Sequence, residues 1–436
     1  MLPAALGIYL IAIGAFLLLA GLLVIFKNLL LSTINIIGLI LAGISIILAL
    51  ISYILFDSQT DLVWAWGGNN LGQLGDGTNT DRSVPVEVYD LDTDITTIAG
   101  GITHSLALDA DGTVWSWGDN IFGQLGNGTN TNSSIPVKVN DLTDVVSIAS
   151  GETFSMALDE NGDVWTWGNN YSGQLGNGTN VNSNIPVKVS GLSNIVSIGC
   201  GWLHGFALKD DGTVWGWGSN ISGQIGDGTT ANSNVPVQVN IPTNIIFITG
   251  GAYHSLALDD TGHVWSWGDN EYGQLGDGSF VNRSTPAQIG SLSGVLKLAG
   301  GGLHGIVILN DGTVRTWGYN IVGQLGNGSY TNSNVPVQVN GLPFIISVAG
   351  GGYQCLALDE NGTVWSWGYN DRGQLGNGST IDSNVPVHVS NISNISKIAC
   401  GEFHSLALEE TESPQDNFII FVAFVLFISG LILAFI

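Results

Sequence analysis

From Gly101 to Ser150 the chain alternates short apolar runs with polar turns. His104, Leu106 and Leu108 interleave with Ser105 and Ala107, and Val114 and Ser116 interleave with Trp115 and Trp117, the period-two pattern of strands. Asp111-Gly112 between the two runs signals a hairpin. The runs PVKV (Pro136–Val139) and VVSIA (Val145–Ala149) read as two more short strands, with Pro136 expected at a strand start, where a missing N–H does no harm. This unit recurs: its second tryptophan falls at Trp66, Trp117, Trp167, Trp217, Trp267, Trp317 and Trp367, a spacing of 51 once and then 50. A fixed period of that size means units that cannot bury their apolar faces alone. Four short antiparallel strands per unit, seven times over, predict an all-β, seven-bladed β-propeller. The region opens on VWAWG (Val63–Gly67) and closes on HSLAL (His404–Leu408), so pairing these two termini completes one blade and removes the free edges.

Outside the repeats the pattern changes. Residues 3–26 and 29–56 are apolar and uncharged, with Lys27 and Asn28 between them, and a third apolar run covers 418–436. Each is long enough to cross a bilayer, so three transmembrane helices are expected. The domain plan is then a two-helix hairpin at 1–56, a linker at 57–61, the propeller at 62–408, an acidic linker at 409–417 and a last helix at 418–436. Lys27 is the one basic residue beside these segments, and the positive-inside rule places it in the cytoplasm and the propeller outside, as an integral membrane protein at the cell surface. Reversed topology would instead make an intracellular membrane-tethered scaffold. Since HSLAL ends and VWAWG starts at the turn end of the hairpin, and a five-residue linker reaches at most ~18 Å, that face is expected near the lipid and the opposite face away from it.

Charge narrows the partners. All 35 acidic residues and nine of the ten basic ones lie between Asp57 and Asp416, leaving that region near −26. Such a field repels phosphate backbones, which argues against nucleic acid. The 62 glycines and only 10% charged residues suit tight turns and short strands. Cys200, Cys355 and Cys400 fall in three different repeats, where a ring would hold them apart, so no disulfide is expected.

The recurrences GQLGNG, GxxHSLAL and VWSWGxN resemble the repeat of the regulator-of-chromosome-condensation propeller family, over Leu62 to Leu408. The resemblance implies a seven-bladed ring but leaves function open, because such folds serve exchange factors, ultraviolet receptors and secreted inhibitors alike. The receptors' Trp and Arg cluster has only Trp202 to match it here, and neither a basic tail nor a long wedge-like insertion speaks for exchange activity.

Candidate chemistry is sparse because like residues recur seven times. The repeated His104, His204, His254, His304 and His404, replaced by Phe154 and Gln354 in two units, would sit too far apart to chelate one ion and read as packing residues. The GQLGNG loops lack a following GK[ST], and the Asp-rich turns lack the closing Glu of a calcium loop, so neither nucleotide, metal nor other cofactor is expected. Variation concentrates just before each His and in the loops after each WG. Glu152, Trp202, Tyr253, Tyr353, Glu402 and Phe403, widened by Phe122, Tyr171, Tyr272, Tyr319, Tyr369 and Arg372, are therefore the candidate partner-binding residues. The expected function is a non-catalytic platform for a protein or glycan. The alternative is a polysaccharide-acting enzyme using Glu152 and Glu402, which the order of repeats places in blades well apart.

Overall fold

The computed structural model describes residues 61–91, 93–241 and 244–410. These residues form 28 strands in seven four-stranded antiparallel sheets. In one blade, β3 (Ile95–Gly100), β4 (His104–Asp109), β5 (Val114–Gly118) and β6 (Ser133–Lys138) follow one another from the axis outward. The sequence unit is thus offset from the blade by one strand: VVSIAS forms β7 (Val145–Ser150), the innermost strand of the next sheet. Pro136 is not at a strand start either. It lies inside β6, in the register shift between Ser116 and Gly118 of β5, where an outermost strand with a bulge tolerates the missing donor.

The ring closes through both ends of the repeat region. The last sheet has the order β2 (Arg82–Glu87), β1 (Leu62–Gly67), β28 (His404–Glu409), β27 (Ile395–Cys400). Its register runs from Leu62 opposite Glu409 to Gly67 opposite His404, so the chain enters and leaves the ring at the same end of that sheet.

The expectation of three transmembrane helices is corrected. Among the described residues there is no helix, and none long and apolar enough to cross a membrane. Every element is a strand of five or six residues, far short of the ~20 apolar residues a membrane helix needs. Segments 3–26, 29–56 and 418–436 lie outside the described residues. The membrane localisation, the lipid partner and the outward placement of the ring rested on those helices and are corrected with them.

Cohesion comes from seven separate cores, each at a seam between blades. One seam joins Leu106, Leu108, Val114 and Val139 of one blade to Val145, Ile148, Ala157 and Trp167 of the next. The second tryptophan of each repeat is completely buried and reaches across its seam: Trp117 Nε1 donates to Gln73 O at 2.9 Å, and Trp167 Nε1 to Gln124 O at 2.9 Å. This explains GQLG as a motif. Its Gln supplies the carbonyl, and its second Gly lies against the indole: Gly126, at φ +65°, has no room for a Cβ, which would stand 2.7 Å from Trp167 Nε1. Trp117→Ala is expected to destabilise the full chain by about 3–5 kcal/mol and Trp117→Phe by much less, read from chemical denaturation, because only the first opens a large cavity.

Where the strand before it ends in an acid, the first tryptophan of a repeat has a partner of its own. Trp115, Trp165, Trp265 and Trp365 donate to Asp109, Asp159, Asp259 and Asp359 at the end of the preceding strand. Where Lys209 replaces that Asp, Trp215 Nε1 is left without an acceptor; where Leu309 replaces it, the tryptophan is replaced by Arg315.

Candidate functional site

All the candidate residues stand on one face because two sets of loops are tied together there. The residue before each His, or before the residue that replaces it, accepts a backbone bond from the loop after WG: Thr103 O from Asp119 N at 2.8 Å, Tyr253 O from Asp269 N at 2.8 Å, and Tyr353 O from Tyr369 N at 3.0 Å. Gly118, at φ +105°, lets the two loops meet, since a Cβ there would lie 2.4 Å from Thr103 O. Beneath them, buried Asn120 holds its loop in shape, accepting from Leu125 N at 2.9 Å and donating to Thr129 O and Thr131 O. The repeated asparagines are thus scaffold, and only the residues between them vary freely.

A second belt of backbone bonds runs from blade to blade around the axis: Glu402 N to Gly101 O at 3.1 Å, Ile102 N to Glu152 O at 3.1 Å, and Glu152 N to Trp202 O at 2.7 Å. It rims an axial channel of about 340 Å³ whose mouth on this face is lined by Ile102, Trp202, Gly302, Gly352 and Glu402. Trp202 reaches across two blades, its Cζ2 3.0 Å from where a Cβ on Gly302 would lie. Glu402 folds over Gly352, whose Cβ would meet its Cγ at 2.4 Å.

The two acidic candidates are neighbours but one, not well apart. The ring closes from Glu402 to Ile102, so a single blade separates Glu402 from Glu152. Burial, and then the Glu152 carboxylate, push the Glu402 carboxyl up to about 7; burial raises Glu152 as well. Sequence order hid this, because positions 152 and 402 lie 250 residues apart along the chain and come within electrostatic reach only once its ends pair.

The aromatic candidates form a continuous arc over four blades. Tyr272 meets Tyr319 with ring centroids 5.0 Å apart, Tyr319 meets Tyr353 at 6.0 Å, Tyr353 meets Tyr369 at 6.3 Å and Tyr369 meets Phe403 at 6.3 Å, all edge-to-face. Burial raises the Tyr353 hydroxyl, and Glu402 and the neighbouring tyrosines raise it further. Trp202 and Tyr253 make a separate pair at 6.4 Å, and Phe122 and Tyr171 another at 5.8 Å, apart from the arc. Arg372 is bound to Asp81 of the closing blade at 3.2 Å. Two carboxylates escaped the sequence reading: Asp371, which accepts from the Tyr369 hydroxyl at 2.9 Å, and Asp269, close enough to raise Tyr253. Both lie in the WG loops already singled out, Asp371 beside Tyr369 of the arc and Asp269 beside Tyr253 of the Trp202 pair.

The repeated histidines lie below this surface, completely buried. His104 Nε2 is 3.0 Å from Ser155 Oγ of the next blade, and His404 Nε2 2.8 Å from Ser105 Oγ. Each serine spends its own proton on a carbonyl, Ser155 on Gln124 O and Ser105 on Gln73 O, so the imidazole must be the donor, with its proton on Nε2 and Nδ1 unpartnered. In the blade after His254, Gly305 takes the place of that serine, and both ring nitrogens of His254 are without a hydrogen-bond partner.

Comparison with known proteins agrees with this architecture. Residues 52–352 match the RCC1-like domain, and residues 361–408 the regulator of chromosome condensation (RCC1) repeat. Human WBSCR16 is similar over 81% of this chain and 100% of its own, at 26% identity and a TM-score of 0.74. Prp20p of Saccharomyces cerevisiae is similar over 83% and 94%, at 25% identity and a TM-score of 0.71. Among curated relatives, the Ultraviolet-B receptor UVR8 of Arabidopsis thaliana is 37% identical over 83 residues, 19% of this chain and 19% of the receptor. The Protein RCC2 homolog of Danio rerio is 39% identical over 72 residues, 16% of this chain and 14% of the relative. The matched stretch therefore spans less than a fifth of either curated relative.

Proposed function

The chain belongs to the RCC1-like domain family, and from that premise we propose that it is a non-catalytic platform that grips a protein partner on the face carrying the loops before each His. One observation carries this reading: five aromatic rings from four blades make an unbroken arc at a face whose scaffold is otherwise repeated unchanged. Rigid aromatic anchors beside polar groups are what protein interfaces use. Prp20p, similar in fold, is described by its binding to Gsp1p and histones, which supports a protein rather than a small molecule as the occupant.

A photo-crosslinking residue placed at Tyr319 of the full chain is expected to give one discrete adduct in cells, whereas the same residue at Val146 gives none. Replacing Trp202, Tyr253, Tyr353 and Phe403 together by Ala is expected to abolish that adduct while shifting the melting temperature by only a few degrees. Equal labelling from both positions, or an adduct that survives the fourfold change, removes the assignment of this face.

A second reading rests on the Glu152 and Glu402 pair, since a carboxyl held near 7 beside another carboxyl is how glycosidases prepare an acid. Turnover of an oligosaccharide by the full chain, lost in Glu402→Gln, would favour it.

A further inference from the structure

Where the aromatic arc reaches the channel mouth, rings and unpaired negative charge come together. Tyr353 touches Tyr319 and Tyr369 and lies close enough to Glu402 for that carboxylate to raise its hydroxyl. Among the described residues, no hydrogen bond or ion pair engages the carboxylate of Glu402 or of Glu152. Of the described ion pairs, Arg372 with Asp81 stands on this face beside Tyr369, at the outer side of the arc, while others such as Asp76 with Arg82 and Asp277 with Arg283 engage neither Glu402 nor Glu152. The site is also sheltered, with Trp202 spanning the mouth toward Gly302 and Glu402 lying in the space that Gly352 leaves free.

Resting on the platform reading, we propose that this mouth binds a guanidinium group, the side chain of an arginine presented by a partner protein. A cation is attracted to aromatic faces and relieves the repulsion that the Glu152 carboxylate exerts on Glu402. Guanidinium suits the site better than ammonium, because it sheds water more easily, stacks on rings and pairs a carboxylate through two bonds. Charge complementarity decides the kind of partner. With a net charge of −25, a second copy of this chain would bring one acidic face against another, whereas a basic segment would be drawn in. The groups facing Glu402 are Glu152 and Tyr353, and neither supplies a positive charge, so its carboxyl ionises only as the pH passes about 7. Affinity for a cation is therefore greater at pH 8 than at pH 6.

The test is calorimetric titration of the full chain at pH 8 with a capped peptide containing two arginines, its citrulline and lysine counterparts, and a chitin oligosaccharide. The arginine peptide is expected to bind at least tenfold more tightly than the citrulline peptide and more tightly than the lysine peptide. Its affinity should fall at least tenfold in Glu402→Gln and in Tyr353→Ala, and severalfold on going to pH 6. Asp111→Asn, which removes the same charge from an exposed turn at the other end of the hairpin, should leave it unchanged. Melting curves of each variant separate lost binding from lost folding. Equal binding of arginine and citrulline, an Asp111→Asn effect as large as that of Glu402→Gln, or binding of the oligosaccharide alone would overturn the inference. If the Tyr319 crosslink forms while the arginine peptide fails, the guanidinium site is wrong and the platform stands; if neither occurs, both are wrong.

Discussion

The full chain without Leu62–Gly67 is expected to show no cooperative thermal transition. Those six residues are the whole of β1, and β1 lies between β2 and β28 and pairs with both in the closing sheet. Without it β28 keeps its pairing to β27 but presents a bare apolar edge, and β2 has no sheet to join. Trp66 is also lost. It is completely buried at the last seam, among Leu356, Leu358, Val364 and Ala407, and its Nε1 donates to Gln374 O at 2.9 Å. One such tryptophan is worth about 3–5 kcal/mol. Domains hold only about 5–15 kcal/mol in total. Removing it together with Val63, Ala65 and a set of ladder bonds therefore exceeds what the remaining ring can absorb. Calorimetry of the parent and the deletion decides the matter, and a transition within a few degrees of the parent would show that the closing blade is dispensable.

Mild acid is the second large effect expected. Burial drives the imidazoles of His104, His204 and His304 down to about 3, and those of His254 and His404 to about 4. In the unfolded chain these groups take up protons near pH 6.5, so the unfolded state binds more protons at every pH between 6.5 and about 4. The stability they confer is complete above pH 6.5 and drains away below it. Five such groups give a slope of at most roughly 7 kcal/mol per pH unit, set against the ~5–15 kcal/mol a domain holds, which places unfolding near pH 5. Glu402 acts in the opposite sense. Its folded value of about 7 exceeds the ordinary 4.5, so on its own it would add stability as the pH falls through that range. One carboxyl does not offset five imidazoles. Melting temperature followed from pH 8 to pH 4.5 should fall steeply below pH 6.5, and His404→Gln should make the fall shallower. Gln354 shows that an amide can serve at this position, donating to Gly401 O at 3.1 Å and His404 O at 3.2 Å. A flat profile between pH 7 and pH 5 would contradict the argument.

The seven blades could be read from residues that answer to local rules. Alternation at His104–Leu108, the Asp111-Gly112 turn and the 50-residue return of tryptophan each describe a hairpin and its repetition. The incomplete hairpins at Val63 and His404 identified the closing blade for the same reason. Other features followed no local rule. Pro136 was misplaced because a bulge is decided by the neighbouring strand, and the GQLG motif showed its purpose only when Trp167 of the next blade was found against Gly126. The apolar stretches outside the ring suggested helices, yet within the described residues every apolar run is shared out between the two faces of short strands.

The amino-acid sequence by itself determined the kind of element, the number of repeats, the closing pair and which loop positions vary, because strand period and turn chemistry act over a few neighbouring residues. Only the tertiary structure decided that Glu402 and Glu152 stand one blade apart, and that Tyr272, Tyr319, Tyr353, Tyr369 and Phe403 form one arc. Bending the chain into a ring brings residues 250 positions apart within electrostatic reach, and that curvature is a property of seven packed seams rather than of any one of them.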